Sequence, residues 1–267
     1  MKKRMNGYLL AGLILTGILV GLTLLGIFWT PWSPTAQSTD RFLPPSLNHL
    51  FGTDKLGRDI FSRVLRGSGT TLAVALQTIV IGGCLGTLVG AVTGYFGGIA
   101  DEVLMRLNDV LTAFPSILLA LLVISLLGPE NRNNLVVALG LVFIPGFARV
   151  TRTAFASLRD VNYITSARLM GASNKRILLL HMLPNTTRVL LPALTIGFNN
   201  AVLAEASMSF LRITPLETSL GYMLSEAQGM FSAAPWYALG TGLTIAALVF
   251  GVGLIGEGLQ RLGKEAA

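Results

Sequence analysis

The sequence predicts an all-α polytopic membrane protein with six transmembrane helices. Of its 267 residues, 52% are hydrophobic and only 12% are charged, about half the charge of an ordinary soluble domain. Several apolar runs reach the roughly 20 residues that a helix needs to cross the hydrocarbon core. The mean hydropathy is +0.66. The net charge of +7 comes from Lys and Arg in loops and segment ends, not from a patch suited to nucleic acid.

The first span is expected at about 8–29, after Lys2, Lys3 and Arg4. A signal peptide would share the charged start, but its apolar region would be shorter and a small-x-small cleavage site would follow. The first span is therefore read as uncleaved. Residues 30–67 form a long loop carrying Pro31, Pro34, Pro44 and Pro45, expected to fold over the membrane surface. Its end, FGTDKLGRDIFSRVLRG, mixes charges of both signs with Ile60, Phe61, Val64 and Leu65 at helical spacing. That pattern predicts an interfacial helix leading into the second span, about 72–97. There Gly82, Gly86, Gly90, Gly94 and Gly98 recur every fourth residue and make a stripe nearly free of side chains. Such a stripe lets backbones approach closely, either within the chain or across a dimer.

The third span, about 103–127, contains Asp109 and the pair Phe114–Pro115, where a bend is expected. Asp109 either reaches water or makes a structural hydrogen bond. A polar turn at 128–134 leads to the fourth span, about 135–155, with a further bend expected at Pro145 and Gly146. The segment 163–184, YITSARLMGASNKRILLLHMLP, then lies outside the bilayer. Asp160 is its expected N-cap. Ile164, Ala167, Leu169 and Met170 are expected on one side and Arg168 towards water, with Gly171 breaking the helix and Pro184 ending the apolar stretch that follows. Arg168, Lys175 and Arg176 lie within this segment, and Arg149, Arg152, Arg159 and Arg188 flank it. It is either a docking element for a soluble partner or a basic loop held by lipid phosphates. The fifth span, about 189–211, holds Asn199, Asn200 and Glu205. A loop at 212–235 contains Glu217 and Glu226, and the last span covers about 236–259.

With six spans both termini share a side. Thirteen of the 20 Lys and Arg fall on that side, which places the termini and the segment 163–184 in the cytoplasm.

Catalytic signatures are missing. The chain has no G-x-x-x-x-G-K-[ST] phosphate loop, no H-E-x-x-H and no G-x-S-x-G. His49 and His181 fall on opposite sides of the membrane and cannot share a metal. The single Cys84, inside an apolar run, supports neither a disulfide framework nor a cysteine-based metal site. Glu205 is the embedded acid. A charge at mid-bilayer costs about 2.5–3.5 kcal/mol on insertion scales, so it should face the protein interior or a water-filled path. It either lines that path or braces a neighbouring helix. An intramembrane enzyme would need clustered His, Asp or Ser inside spans. A secondary carrier or channel working without an ATPase would need its own coupling-ion charges, and only Glu205 is available.

The segment 163–184 resembles the EAA loop of ABC importer permeases, whose pattern is E-A-A, three residues, Gly, nine residues, I-x-L-P. Here the positions read Thr165, Ser166, Ala167, then Gly171, then His181, Leu183 and Pro184. The spacing is intact, while Thr165, Ser166 and His181 replace the usual Glu, Ala and Ile. FGTDKLGRDIFSRVLRG, MRLNDVLTAFPSILLA and LAEASMSFL are similar, in the same order, to segments of the second, C-type permease subunit of the dipeptide, oligopeptide and nickel importers. Arg212 and Ile213 depart from the usual Gly and Leu, and Ser219–Leu224 matches weakly.

The resemblance implies a type I ABC importer permease of the bacterial inner membrane, without cofactor, metal or enzymatic activity of its own. It implies a heterodimer with a second homologous permease subunit, two cytoplasmic ABC ATPase subunits that hydrolyse ATP, an extracytoplasmic solute-binding protein, and surrounding membrane lipid. An N-terminal helix and extracytoplasmic segment would occupy 1–67. A core of five spans would occupy 68–267, with the cytoplasmic loop at about 157–187. Thr165, Ser166, Ala167, Arg168, Gly171, Ala172, Leu183 and Pro184 would couple to the ATPase. Asn199, Asn200, Glu205 and Ser209 would be candidates for the translocation path. Peptides and nickel or metal-chelate complexes are the implied substrates, and the short segment before the first span points towards the metal-type members.

Overall fold

The computed structural model describes residues 6–213 and 218–265. Lys2, Lys3, Arg4, Glu217 and the side chain of Lys264 lie outside what is described. The described residues are mostly helical and include five helices long and apolar enough to cross a membrane, or six spans if one bent pair is counted as one.

Helix α1 (Gly7–Phe28) packs along α10 (Pro235–Glu265) and the start of α2 (Ile60–Phe96). The interfacial helix expected before the second span does not form separately. Asp59 caps α2 by accepting from the Ser62 amide at 2.7 Å, so the helix begins at Ile60 and runs unbroken through residue 67. Its 37 residues extend about 55 Å, beyond the roughly 40–45 Å of a bilayer with its headgroups. The ends of α2 can therefore carry charge. Ile60 and Val64 are buried against Leu220, Met223 and Tyr237, so the apolar face of this end is covered by protein.

The loop before α2 is stitched to itself. The Thr53 hydroxyl donates to the Asp40 carbonyl at 2.5 Å and accepts from the Leu43 amide at 2.8 Å. Trp32 stacks on His49, whose Nδ1 lies 2.9 Å from Asp59 Oδ1.

α2 is the central element and packs most extensively on α5 (Arg132–Leu158). The glycine stripe makes that contact. A Cβ on Gly86 would lie 2.6 Å from Phe147 Cβ, and one on Gly94 would lie 2.8 Å from Phe155 Cβ. The stripe therefore serves packing within the chain. Gly98 does not join it: it starts α3 with φ +58° and has open space around it.

The third span is broken more sharply than a proline kink. α3 (Gly98–Ala113) and α4 (Ser116–Leu127) meet at 94°. Phe114 is extended at φ −87°, ψ 138°, as a residue before proline tends to be. α3 is tied to α5 by Arg152, whose Nε and Nη2 donate to the two Asp101 oxygens at 2.5 and 2.6 Å. Asp109, left open between water and a structural bond, is exposed and accepts from Arg149 at 3.0 Å. α5 continues through Pro145 as one helix.

After α6 (Asn162–Leu169), a single 37-residue helical run, Asn174–Phe210, replaces the separate stretch and span. It comprises a turn α7 (Asn174–Arg176), a π-helical turn Ile177–Met182, and α8 (Leu183–Phe210). Pro184 therefore does not end the apolar stretch. It sits in the first turn of α8, just after a turn whose wider hydrogen-bonded ring, Leu183 N–H to Leu178 C=O, accommodates the missing amide. In the loop before α10, residues Leu220–Gln228 form a short helix, α9, capped by Ser219 through the Tyr222 amide.

Candidate functional site

The segment 163–184 is an anchored projection. Asp160 is not its cap: α6 starts two residues later, with extended Val161 at the N-cap position and no side-chain cap. Ile164 and Ala167 turn inward, and Ile164, with Ile177 and Met182, packs on Tyr95 and Phe155 at the ends of α2 and α5. Leu169 and Met170, expected on that same side, point out instead and are 84% and 81% exposed. At 100° per residue Leu169 falls about 140° from Ile164 and about 160° from Ala167, whereas Met170, about 60° from Ala167, is exposed because it is the C-cap where the helix stops. Two large apolar side chains thus stand uncovered next to exposed Thr165, Ser166 and Arg168.

Gly171 sets the return of the chain. Its φ is +81°. Its amide donates to the Arg168 carbonyl at 3.0 Å, and the Ala172 amide donates to the Ala167 carbonyl at 3.1 Å. These are the two bonds of a Schellman turn, which needs a left-handed residue at this position. Ser173 then caps the helical run that follows, accepting from the Arg176 amide at 3.4 Å. Two further contacts fix the projection to α2. Tyr95 Oη bonds Asn174 Oδ1 at 2.8 Å, and the Arg168 guanidinium lies 5.7 Å from the centre of the Tyr95 ring. Leu183 and Ala172 are half-buried against the same cluster, and Pro184 is exposed. The eight residues singled out in the sequence are therefore brought together. Six are on α6 and its turn, and two are at the start of α8.

The four path candidates separate. Glu205 and Ser209 are fully buried, with the Ser209 hydroxyl donating to Glu205 Oε1 at 2.7 Å. Among the described residues Glu205 Oε2 has no partner that meets hydrogen-bond geometry. Asn199 is half-buried and Asn200 is exposed. An apolar groove of about 820 Å³ opens beside α8, lined by Leu76, Val80, Cys84, Leu194, Thr195 and Phe198 among others.

The sequence reading missed a cluster at the other end of α2. Arg63 Nη1 donates to Asp54 Oδ2 at 2.7 Å and to Tyr237 Oη at 2.8 Å, and its Nη2 donates to Glu226 Oε2 at 2.7 Å. Arg58 Nε donates to Asp54 Oδ2 at 2.7 Å, and its Nη2 to Glu226 Oε1 at 3.1 Å. Burial by itself would push the Glu226 carboxyl up, but Arg63 and Arg58 outweigh it and hold it below the ordinary glutamate range. The mixed charges of residues 51–67 were the available signal. The partner, Glu226, lies far along the sequence in what reads as a loop.

A bundle of five or six helices fit to cross a membrane, packed around a glycine-lined central helix with an anchored projection before the last two spans, defines a multi-pass helical membrane protein. Residues 86–262 match the family described as "Binding-protein-dependent transport system inner membrane component". The chain belongs to that family, and so is a permease subunit of an ABC transporter in the inner membrane, a class that is not enzymatic. It is 35% identical over 266 residues to the dipeptide transport system permease protein DppC of Haemophilus influenzae, covering 96% of this chain and 90% of that protein. It is 41% identical over 218 residues to the glutathione transport system permease protein GsiD of Escherichia coli, covering 81% and 72%. Among solved structures, a chain of the MetNI methionine ABC transporter in an inward-facing conformation superposes with a TM-score of 0.60 at 20% identity. That match covers 77% of this chain and 96% of the other, and shows a shared fold.

Proposed function

We propose that this chain is one half of the translocation path of an ATP-driven importer of small peptides, coupled to a separate ATPase through α6. The carrying observation is the form of the projection: Ile164 is buried against α2 and α5 and Ala167 is buried too, while Leu169 and Met170 are exposed. An apolar knob on a braced base is what a docking lever needs, because force applied to it passes into the spans. In this reading Thr165, Ser166, Ala167, Arg168, Gly171 and Ala172 shape the knob, and Leu183 and Pro184 carry its movement into α8. A cytoplasmic ATPase subunit receives it, one of two in the complex, and hydrolyses the ATP. The termini and α6 lie in the cytoplasm, as the basic residues favour. Residues 1–67 form the peripheral helix and outer segment, and 68–267 the core.

A second, homologous permease completes the path. Exposed Asn200 faces it, while Asn199 lies against α10, its Nδ2 3.4 Å from a Cβ built on Gly253, and Glu205 and Ser209 are buried. An extracytoplasmic binding protein delivers the solute. The relatives named for dipeptides and glutathione favour peptides over nickel or metal chelates.

The test is reconstitution of the complex with its cognate ATPases, partner permease and binding protein in proteoliposomes. Peptide-stimulated ATP hydrolysis accompanied by peptide uptake is expected. Uptake by this chain without any ATPase would replace the reading with a secondary carrier or channel.

A further inference from the structure

The cluster around Arg63 joins four separate pieces of chain. Asp54 belongs to the loop before α2, with Arg58 four residues later. Arg63 is in the first turn of α2, Glu226 is near the end of α9, and Tyr237 is in the first turn of α10. Two carboxylates face two guanidinium groups, so the charges balance. The Arg63 and Glu226 side chains are only 6% and 8% exposed. Asp54 is further held by its own loop, its Oδ1 accepting from the amides of Leu56 and Arg58 at 2.8 and 3.0 Å. Tyr237 closes the ring by donating to Glu226 Oε2 at 3.0 Å.

The other end of α9 is fastened as well. The buried Leu220 amide donates to Thr71 Oγ1 on α2 at 3.1 Å. Gly221 lies so close to the Ala206 backbone of α8 that a side chain there has no room. The loop also touches α10, since a Cβ on Gly52 would meet the Trp236 ring at 2.7 Å.

We propose that Glu226 and Arg63 are a positioning pair that fuses the loop before α2, α9 and the start of α10 into one plate on the end of α2. The plate moves as a body during transport and does not open as a lid. This rests on the transport reading above. Loop and α9 are held by buried, charge-matched bonds whose separation would leave a guanidinium or a carboxylate without its partner. That is far more costly than moving the assembled piece on α2.

The test uses the reconstituted complex with Cys84→Ala as its reference; failure of that reference to transport would count against the transport reading and not against the plate. Glu226→Gln leaves an excess positive charge in the cluster, and uptake should fall by at least about tenfold. Arg58→Gln with Glu226→Gln restores the balance around the remaining Asp54–Arg63 pair and lets the two amides hydrogen-bond across the same junction, so the fastening persists and uptake should return to within about threefold of the reference. Arg58→Cys with Glu226→Cys is balanced in the same way but loses the fastening bonds, and bridging the two thiols with a short bis-maleimide should hold or raise its uptake. Arrest of transport by the bridge, with the unbridged variant active, would overturn the proposal, because loop and α9 would then have to part in each cycle. Full uptake by Glu226→Gln would overturn it too. If Glu226→Gln fails to assemble, the bridged pair still decides.

Discussion

Gly171 offers a sharp test because its constraint is conformational and not steric. Nothing lies within 4 Å of a Cβ built there, yet φ is +81°. A substitution therefore acts through backbone strain alone. Holding alanine in this region costs about 1 kcal/mol and a β-branched residue about 2 kcal/mol, while asparagine is tolerated better. The alternative open to the chain is to release the Schellman turn, losing the bonds from Gly171 and Ala172 and loosening α6 from Ala167 onward. A change of 1–2 kcal/mol shifts a local equilibrium by a factor of about 5–30. Peptide-stimulated ATP hydrolysis by the reconstituted complex should thus rank Gly above Asn, Asn above Ala, and Ala above Val, with membrane insertion unchanged. Amide exchange at residues 171 and 172 should accelerate in the reverse order. Normal stimulation in Gly171→Val, or Asn performing no better than Val, would refute the reasoning.

Other outcomes follow from the same geometry. Gly86→Leu should destabilise the bundle by roughly 1–3 kcal/mol through overpacking, because Phe147 Cβ and the Ile144 carbonyl occupy the space 2.6 Å from its Cβ position. Gly21→Ala, with nothing within 4 Å, should unfold in detergent at the parent temperature. Arg152→Lys should speed amide exchange in the first turn of α3, because a lysine cannot reproduce the two-pronged contact with Asp101. The lowered Glu226 carboxyl sets a pH dependence. Its stabilisation is complete above the ordinary glutamate range, where folded and unfolded chains are both ionised. It is lost as pH falls through the lower folded value, because the unfolded chain takes up its proton first. Thermal unfolding followed from pH 7 to 3 should show this decline, and Glu226→Gln should lack that component.

Much of the architecture was legible because it rests on local signals. Spans follow from run length, and the glycine stripe from its period of four. α6 and its turn follow from the spacing between Ala167, Gly171 and Pro184. What failed depended on a partner distant in sequence in one case and on local backbone conformation in two others. Arg63 reads as interfacial until Glu226 and Tyr237, more than 160 residues away, are folded onto it. Asp160 has the chemistry of a cap, but extended Val161 takes that position. Pro184 reads as a stop, and only the π turn before it lets the helix pass. The rotation of Leu169 away from the core was available from helical geometry, while the exposure of Met170 comes from its place at the helix end.

The central claim is that α6 meets a soluble ATPase. The direct measurement places a single cysteine at Leu169, in a Cys84→Ala background, and cross-links the assembled complex with a short thiol-reactive reagent. A covalent adduct with the ATPase subunit, lost when the ATPase is omitted, is the predicted result. Labelling of that cysteine from the outer face of sealed vesicles, or no adduct in a complex that transports, would contradict the account.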